Sequence, residues 1–304
     1  LAGCALTVMG AKDAAFGALP GQSATGTVFK LEPGKTVTIV LAMQSNFDAK
    51  EPLDAALAKV AGMTPEKVKA LEQAHRQWWR EFWAQSLVEI EDEPRLQQAY
   101  YACTYEQGAG MRDKDFPPGL FALWITGDDP NWAGDYHLNF DFQSQYYSLS
   151  KNNRIEQMAT FDQPILEFMP RARWYADVCL GIRGVYYPVG IWAKGMETSR
   201  QPGIRDNSPR VDHGGVFLGQ KSNAAYCLVP MAARWYHWYD LDYAKKVYPF
   251  VVEVANFWED YLHYDPVDTN GVALVASVST NARAPKVMTI NGVPFNQIPV
   301  GKIP

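Results

Sequence analysis

The sequence predicts a mainly α-helical protein that begins with a short β segment. Apolar residues recur at helical spacing in several stretches after Thr64, whereas residues 1–48 show the near-alternation of β-strands. The composition, 47% hydrophobic and 20% charged, is typical of a folded globular protein and excludes a disordered or fibrous chain. At roughly 150 residues per domain, the 304 residues allow one large domain or two ordinary ones.

The β segment contains a predicted hairpin. Residues 36–41 alternate in the manner of a strand, and a Glu-Pro-Gly-Lys turn signal at 32–35 separates them from a second strand at 27–31. Two or three strands cannot bury a sheet face by themselves. We therefore expect this segment to pack against a partner outside it.

Helical spacing then recurs along the chain. Thr64 is a candidate N-cap before Pro65 at the first helical position, and two glycines, Gly108 and Gly110, are expected to end the second helix. The predicted helices span residues 64–86, 94–106, 139–150, 155–179, 222–239 and 241–263. The last two are expected to form an antiparallel helical hairpin. Long loops at 111–138 and 183–220 lie between the helices, and such loops in compact domains are often functional.

Charge, hydropathy and motifs exclude several classes of protein. The net charge of -5 argues against a nucleic-acid partner, because nucleic-acid binders usually carry a basic surplus. No run of about 18 apolar residues occurs, so no transmembrane helix is predicted. The sequence contains no Cys-x-x-Cys and no His-x-x-x-His pattern. We therefore predict neither a metal site nor a cofactor.

The aromatic content admits two explanations. The chain has 10 Trp, and 13% of its residues are aromatic. Aromatic side chains bury large areas, so a big core explains part of this number. Trp124, Trp132 and Trp192 lie instead in the two long loops, where a surface that stacks on flat ligand faces is the better explanation.

Polar residues occupy every second position in the segment that ends the first long loop. They are Asp135, His137, Asn139, Asp141, Gln143 and Gln145. Alternation is typical of a strand, and a chain that entered a helix partway through would turn these groups into a converging cluster. Carboxylates and amides bind hydroxyl pairs, and indoles stack on the apolar face of a sugar ring. The alternative is a hydrated surface strand, but the flanking aromatic residues indicate burial, and buried polar groups must be paired.

This region resembles the signature of glycoside hydrolase family 95, whose members include inverting α-L-fucosidases and galactosidases. The resemblance rests on Gly-Leu-Phe-Ala-Leu-Trp at 119–124, Asn-Trp at 131–132 and the segment 135–143. Weaker similarity at 75–83 and 219–261 extends it to about residues 25–275.

The resemblance implies a six-hairpin (α/α)6 toroid that follows a β-sandwich and a helical linker. Residues 1–48 would be the last strands of the sandwich, 49–63 the linker and 64–304 a partial toroid. About six of twelve helices are present, so we expect the middle of a longer enzyme.

The resemblance also implies residue roles. An inverting glycosidase needs a general base for water and a general acid for the leaving oxygen, about 6.5–9.5 Å apart. Asn139 and Asp141 fall on the two asparagines that hold the water in the family. Asp141 departs from the pattern, since an aspartate stands where the family has an asparagine, and a carboxylate can itself abstract a proton. The expected substrate-binding residues are Trp124, Trp132, Asp135, His137, Gln143, Trp192 and Gln220.

The general acid is harder to place. The family's acidic glutamate should follow Gly271, but no Asp or Glu occurs after Asp268, where the chain has the composition of short strands or irregular structure. Glu197 is the substitute candidate, and the alternative for it is a solvated loop glutamate.

We therefore expect an inverting glycoside hydrolase whose substrate is a plant or host-type oligosaccharide or polysaccharide. The missing acid leaves a non-catalytic carbohydrate-binding relic as the alternative, and a helical scaffold with purely structural aromatic residues as a third class. A polymeric substrate favours a periplasmic or secreted location. The opening Leu1-Ala2-Gly3-Cys4 is similar to a lipoprotein processing box, although the charged and apolar segments that define such a signal are not in the sequence, and a β-strand is its alternative.

Overall fold

The computed structural model describes residues 1–18, 25–125, 127, 130–198, 220–262, 289–290 and 293–294. The chain divides into two compact units, Leu1–Ala84 and Gln85–Pro304. This division lies further along the chain than the predicted domain boundaries at residues 48 and 63, which remain predictions. The loop expected to carry a general acid after Gly271 lies outside the described residues.

The first unit combines two strand pairs with two helices. Strand β1 pairs antiparallel with β4, and β2 pairs antiparallel with β3. The bounds are β1 Ala2–Met9, β2 Lys12–Ala18, β3 Thr25–Lys30, β4 Thr38–Ser45, α1 Pro52–Ala61 and α2 Pro65–Ala84. Helix α1 packs on the β1–β4 pair, where Ala5, Ala56 and Val60 form a small buried core.

The predicted hairpin is wrong in its pairing, although both strands and the turn exist. Lys35 N donates to Glu32 O at 3.1 Å in the turn, but β3 pairs with β2 and β4 pairs with β1. Val40 and Ala42 of β4 pack against the core beneath α1, so burial of that face selects the distant partner. Gly3 belongs to this arrangement, because a Cβ there would lie 2.4 Å from the backbone of Leu53.

The second unit is mainly helical, as predicted. Its bounds are α3 Pro94–Gly110, β5 Tyr136–His137, α4 Asp141–Ser144, α5 Ile155–Trp174, β6 Gly190–Ile191, α6 Asn223–Trp238, α7 Leu241–Tyr261, β7 Thr289–Ile290 and β8 Val293–Pro294. A π-helical turn, Tyr175–Leu180, follows α5. Helices α5, α6 and α7 pack on one another around a largely aromatic core.

Two helices differ from their predicted lengths. Helix α3 continues through Gly108, which is buried, and ends only at Gly110. Helix α4 has a single turn instead of the twelve residues predicted at 139–150, because the chain continues after Ser144 in turns, in which Tyr146 N donates to Gln143 O at 3.1 Å and Tyr147 N to Ser144 O at 3.3 Å. In the described ranges, no helix combines the length and the apolar character needed to cross a membrane.

The predicted α6–α7 hairpin is confirmed, and a buried polar cluster joins it to α5. Tyr239 adopts a left-handed conformation with φ of 48°, and Asp240 caps α7 by accepting from Asp242 N at 2.9 Å. Inside the hairpin, Arg234 Nη1 of α6 lies 2.7 Å from Asp162 Oδ2 of α5. The hydroxyl of Tyr243 donates to the other oxygen of Asp162 at 3.2 Å.

Candidate functional site

A two-residue strand pair brings the two long loops together. Strand β5 pairs antiparallel with β6, and Leu138 N donates to Val189 O at 2.7 Å. Beyond β6, the chain turns back so that Thr198 N donates to Gly190 O at 3.3 Å. The segment that carries the alternating polar residues therefore lies beside residues 189–198.

The Gly-Leu-Phe-Ala-Leu-Trp segment is attached to the same place. Leu120 N donates to Asp135 O at 2.9 Å, and the side chain of Gln145 donates from Nε2 to Gly119 O at 3.0 Å. The contact requires glycine, because a Cβ on Gly119 would lie 2.0 Å from Gly134 O. Two motifs separated in sequence thus form one surface.

Asp135 and His137 form a buried pair at the centre of this surface. Asp135 Oδ1 lies 2.8 Å from His137 Nδ1, and the hydroxyl of Thr198 donates to Asp135 Oδ2. The two residues are 3% and 7% exposed, respectively. Both carboxylate oxygens of Asp135 are therefore used by protein groups, and this arrangement orients the imidazole of His137.

Two of the three loop tryptophans are exposed. Trp124 and Trp132 each have 58% of their surface accessible, and the ring of Trp132 lies 5.7 Å from that of His137. Trp132 and Ala133 adopt left-handed conformations with φ of 50° and 56°. Such a conformation is costly for residues with a Cβ, and its presence beside a polar pair is typical of a functional loop.

Trp192 packs against the core and is half-buried, and Gln143 lies within the core. The Trp192 ring stacks on Tyr136 with a centroid distance of 4.7 Å and an interplanar angle of 19°. Gln143 is fully buried, and its Nε2 donates to Leu138 O and contacts Cys227 Sγ at 3.5 Å. Burial raises the pKa of the Tyr136 phenol, with Glu167 adding to the rise, so this neighbour stays neutral.

The two residues expected to hold the attacking water, Asn139 and Asp141, differ from Asp135 and His137 in their surroundings. Asn139 lies in the turn after β5, and Asp141 is the first residue of α4, so the chain enters a helix partway through the segment. Both are half-buried. Within the described parts of the chain, neither side chain has a hydrogen-bond or ion-pair partner. Their polar atoms are therefore available to a ligand or to water.

Glu197 is held inside the protein, which excludes the alternative of a solvated glutamate. Its side chain is 3% exposed, and Oε2 accepts a hydrogen bond from the Tyr175 hydroxyl at 2.6 Å. Arg171 Nε lies 3.7 Å from the same oxygen. The residue pins the loop after β6 to the C-terminal end of α5. Gln220 lies just before α6, and its buried Oε1 has no hydrogen-bond partner among the described residues.

A lysine that the sequence analysis missed also holds the second loop. Lys194 donates from its backbone N to Glu167 Oε2 at 2.9 Å, and its Nζ lies 3.3 Å from Glu167 Oε1 and 3.2 Å from Asp115. Lys194 has a φ of 59°. No local signal marks these residues, because their partners are 27 and 79 positions away in sequence. Among the residues that the structure describes, no group of three His, Cys, Asp or Glu side chains is placed to bind a metal ion.

Comparison with known proteins gives a family match and a distant relative. Residues 69–290 match the sequence model of the glycosyl hydrolase family 95 catalytic domain. A probable alpha-fucosidase A from Aspergillus niger is 22% identical over 182 residues, which are 58% of this chain and 21% of that protein. The chain thus spans about a fifth of the length of this relative. Since the family match covers most of the chain, the protein belongs to glycosyl hydrolase family 95.

Proposed function

We propose that this chain is part of an inverting glycosidase, in which Asp141 is the general base and Asn139 positions the attacking water. The observation that carries the proposal is the contrast between neighbouring polar groups. Both carboxylate oxygens of Asp135 are used within the protein, whereas the side chains of Asn139 and Asp141 have no partner among the described residues. A half-buried carboxylate without a cationic partner can accept a proton from water.

The sugar would bind on the side of the exposed tryptophans. Trp132 offers an indole face, and the adjacent His137 offers a ring nitrogen whose orientation is fixed by Asp135. An indole stacks on the apolar face of a sugar while an imidazole and an amide bind its hydroxyls. Trp124 is equally exposed and is proposed to extend this platform. Gln220, with its unpartnered buried oxygen, is the fourth proposed contact.

Four residues expected to bind substrate or donate a proton have structural roles in this proposal. Trp192 packs on Tyr136, Gln143 is buried in the core, and Asp135 acts on His137 instead of on the sugar. Glu197 does not supply the proton in this proposal, because its side chain is 3% exposed and is held against the C-terminal end of α5, with Oε2 accepting from the Tyr175 hydroxyl. The general acid would then come from a part of the enzyme outside the described residues.

The proposed architecture is a partial (α/α)6 toroid that follows the last strands of a β-sandwich. The antiparallel α6–α7 hairpin, packed on α5, is the repeating unit that such a toroid requires. The substrate is proposed to be an oligosaccharide or polysaccharide with a terminal fucose or a related sugar, since the matching Aspergillus protein is named a probable alpha-fucosidase. A polymeric substrate places the enzyme in the periplasm or outside the cell.

The test uses the longer enzyme that contains this chain. It is screened against nitrophenyl α- and β-glycosides, including fucoside, galactoside and arabinoside, and the anomer released first is identified by NMR. We expect hydrolysis with inversion, and a kcat lower by about 10²–10⁴-fold in Asp141→Asn. Asp242→Asn is the matched control, because Asp242 is an exposed aspartate on α7. Unchanged turnover in Asp141→Asn would show that the base is another group.

The same screen decides the alternative. A protein that binds sugars in the absence of any measurable hydrolysis is the non-catalytic carbohydrate-binding relic that the lack of acidic residues after Asp268 suggests.

A further inference from the structure

We propose that Gln145 is a positioning residue that fixes Asp141 and the Gly119–Trp124 segment relative to each other. Its side-chain Nε2 donates to Gly119 O at 3.0 Å and to Asp141 O at 3.2 Å. One amide group therefore joins the carbonyl of Asp141 to that of Gly119, which lies 22 positions earlier in the motif loop (residues 119–124). This inference rests on the proposed function, because the positioned carboxylate is that of Asp141.

The two hydrogen bonds from Gln145 Nε2 form a clamp, and the one to Asp141 O replaces a backbone bond that the short helix α4 does not supply. Helix α4 has only four residues, so few of its carbonyls find an intrahelical donor. The carbonyl of Asp141 instead accepts from the side chains of Gln145 and Ser144. Because these bonds hold the peptide group of Asp141, they set the direction in which its side chain leaves the backbone.

A second glutamine fixes the clamp itself. Gln107 of α3 donates from Nε2 to the backbone O of Gln145 at 2.8 Å and to Ser148 Oγ at 2.9 Å. The backbone of Gln145 is thus held by a side chain of the seventeen-residue helix α3. The relay Gln107–Gln145 connects α3, the motif loop and α4 through directional bonds.

The motif loop needs such a clamp because packing does not hold it on one side. Gln145 lines a cavity of about 290 Å³ together with Pro118, Leu120 and Ala122 of the loop. The polar contacts at Gly119 O and Leu120 N therefore add to the packing of Pro118 and Leu123 beside Gly110 in fixing its position.

The test compares Gln145→Met with the control Gln97→Met in the longer enzyme. Methionine has nearly the length of glutamine and no N–H donor. Gln97 is also half-buried, and its one side-chain hydrogen bond, to Ile90 N, is remote in sequence from the motif loop. We expect Gln145→Met to lower kcat by about tenfold to a hundredfold with little change in KM, since a displaced base impairs the chemical step and leaves binding intact.

Hydrogen exchange gives a readout that does not depend on turnover. Exchange of the Leu120 and Ala122 amides should become about fivefold faster in Gln145→Met, the factor that corresponds to one net hydrogen bond. Exchange in α7 should not change. An enzyme that hydrolyses no glycoside would refute the proposed function, and the exchange data would still decide whether the clamp exists.

Gln145→Glu supplies the third readout. Its ionised carboxylate only accepts hydrogen bonds and repels both carbonyls, whereas its protonated form regains one donor. The activity of Gln145→Glu relative to that of wild type should therefore rise as the pH is lowered. Unchanged exchange in Gln145→Met, or faster exchange with wild-type kcat, would overturn the proposed role of Gln145.

Discussion

Removal of Arg234 should destabilise the helical unit far more than removal of an exposed arginine. Arg234 lies 2.7 Å from Asp162, which is 1% exposed, and its guanidinium stacks 4.0 Å from the ring centroid of Tyr243. In Arg234→Met the carboxylate keeps the hydrogen bond from Tyr243 and the attraction of the Lys246 charge. Loss of one partner from a buried ion pair costs about 3–5 kcal/mol, because the remaining charge is left without compensation.

The penalty should depend on pH, and its sign follows from Asp162. Burial raises the pKa of this carboxyl to about 6, and Arg234 opposes the rise. A folded-state pKa above the unfolded value means that the neutral carboxyl contributes stability below about pH 4, which is lost as the pH rises through the folded value. Arg234→Met removes the larger of two opposing charges, the other being that of Lys246, so the pKa of Asp162 rises further. The penalty should be small at about pH 4.5 and larger at about pH 7.5, growing by about 1.4 kcal/mol per pH unit above about pH 6 until the pH passes the higher pKa of the variant.

The assay is urea unfolding followed by far-UV circular dichroism at both pH values. The control is Arg183→Met, which removes an arginine that is 58% exposed and paired with Asp260 and Glu259. That variant should lose much less stability than Arg234→Met, because solvent screens an exposed ion pair. The double variant Arg234→Met/Asp162→Asn should recover most of the stability at the higher pH, because the buried charge is gone. A penalty for Arg234→Met that is equal at both pH values would refute this reasoning.

The remaining predictions separate structural from substrate-facing residues. Trp132→Ala should raise KM about fivefold and leave the unfolding midpoint nearly unchanged, since this ring is exposed. Trp192→Ala should lose about 3 kcal/mol of unfolding free energy, because its ring is stacked on Tyr136. Glu197→Gln should lower the thermal midpoint of unfolding. Its kcat should fall by much less than the roughly hundredfold decrease that removal of a general acid causes. Asp240→Ala should cost about 1 kcal/mol in the same unfolding assay, because the α7 cap is lost.

Local signals predicted the helices well and the strand partners poorly. Helix α2 begins at Pro65 as predicted, and Thr64 accepts a hydrogen bond from Lys67 N at 3.3 Å, as an N-cap does. Helix propensity, caps and periodicity all act within a few residues, so the sequence contains them directly. Strand pairing depends on which distant segment completes a buried face, and β4 therefore pairs with β1 instead of with its neighbour β3.

Exposure within a loop was beyond prediction for the same reason. Trp132 and Trp192 are both loop tryptophans, but only Trp192 has an aromatic partner that buries it, Tyr136, 56 positions away. Likewise, the two side-chain partners of Asp135 are a residue two positions away and Thr198, 63 positions away. Alternation marked the polar segment correctly, and tertiary contacts decided which of its members face a ligand.

The division within this segment gives the Asp141 departure its chemical meaning. Strand β5 lasts only two residues, and after it the chain turns into α4, so the alternating side chains no longer share one face. Gln143 then points into the core and Gln145 to the motif loop, whereas the side chains of Asn139 and Asp141 have no protein partner among the described residues. An asparagine at position 141 could only orient water. A carboxylate there can also take the proton, so Asp141→Asn should abolish the base and preserve the fold.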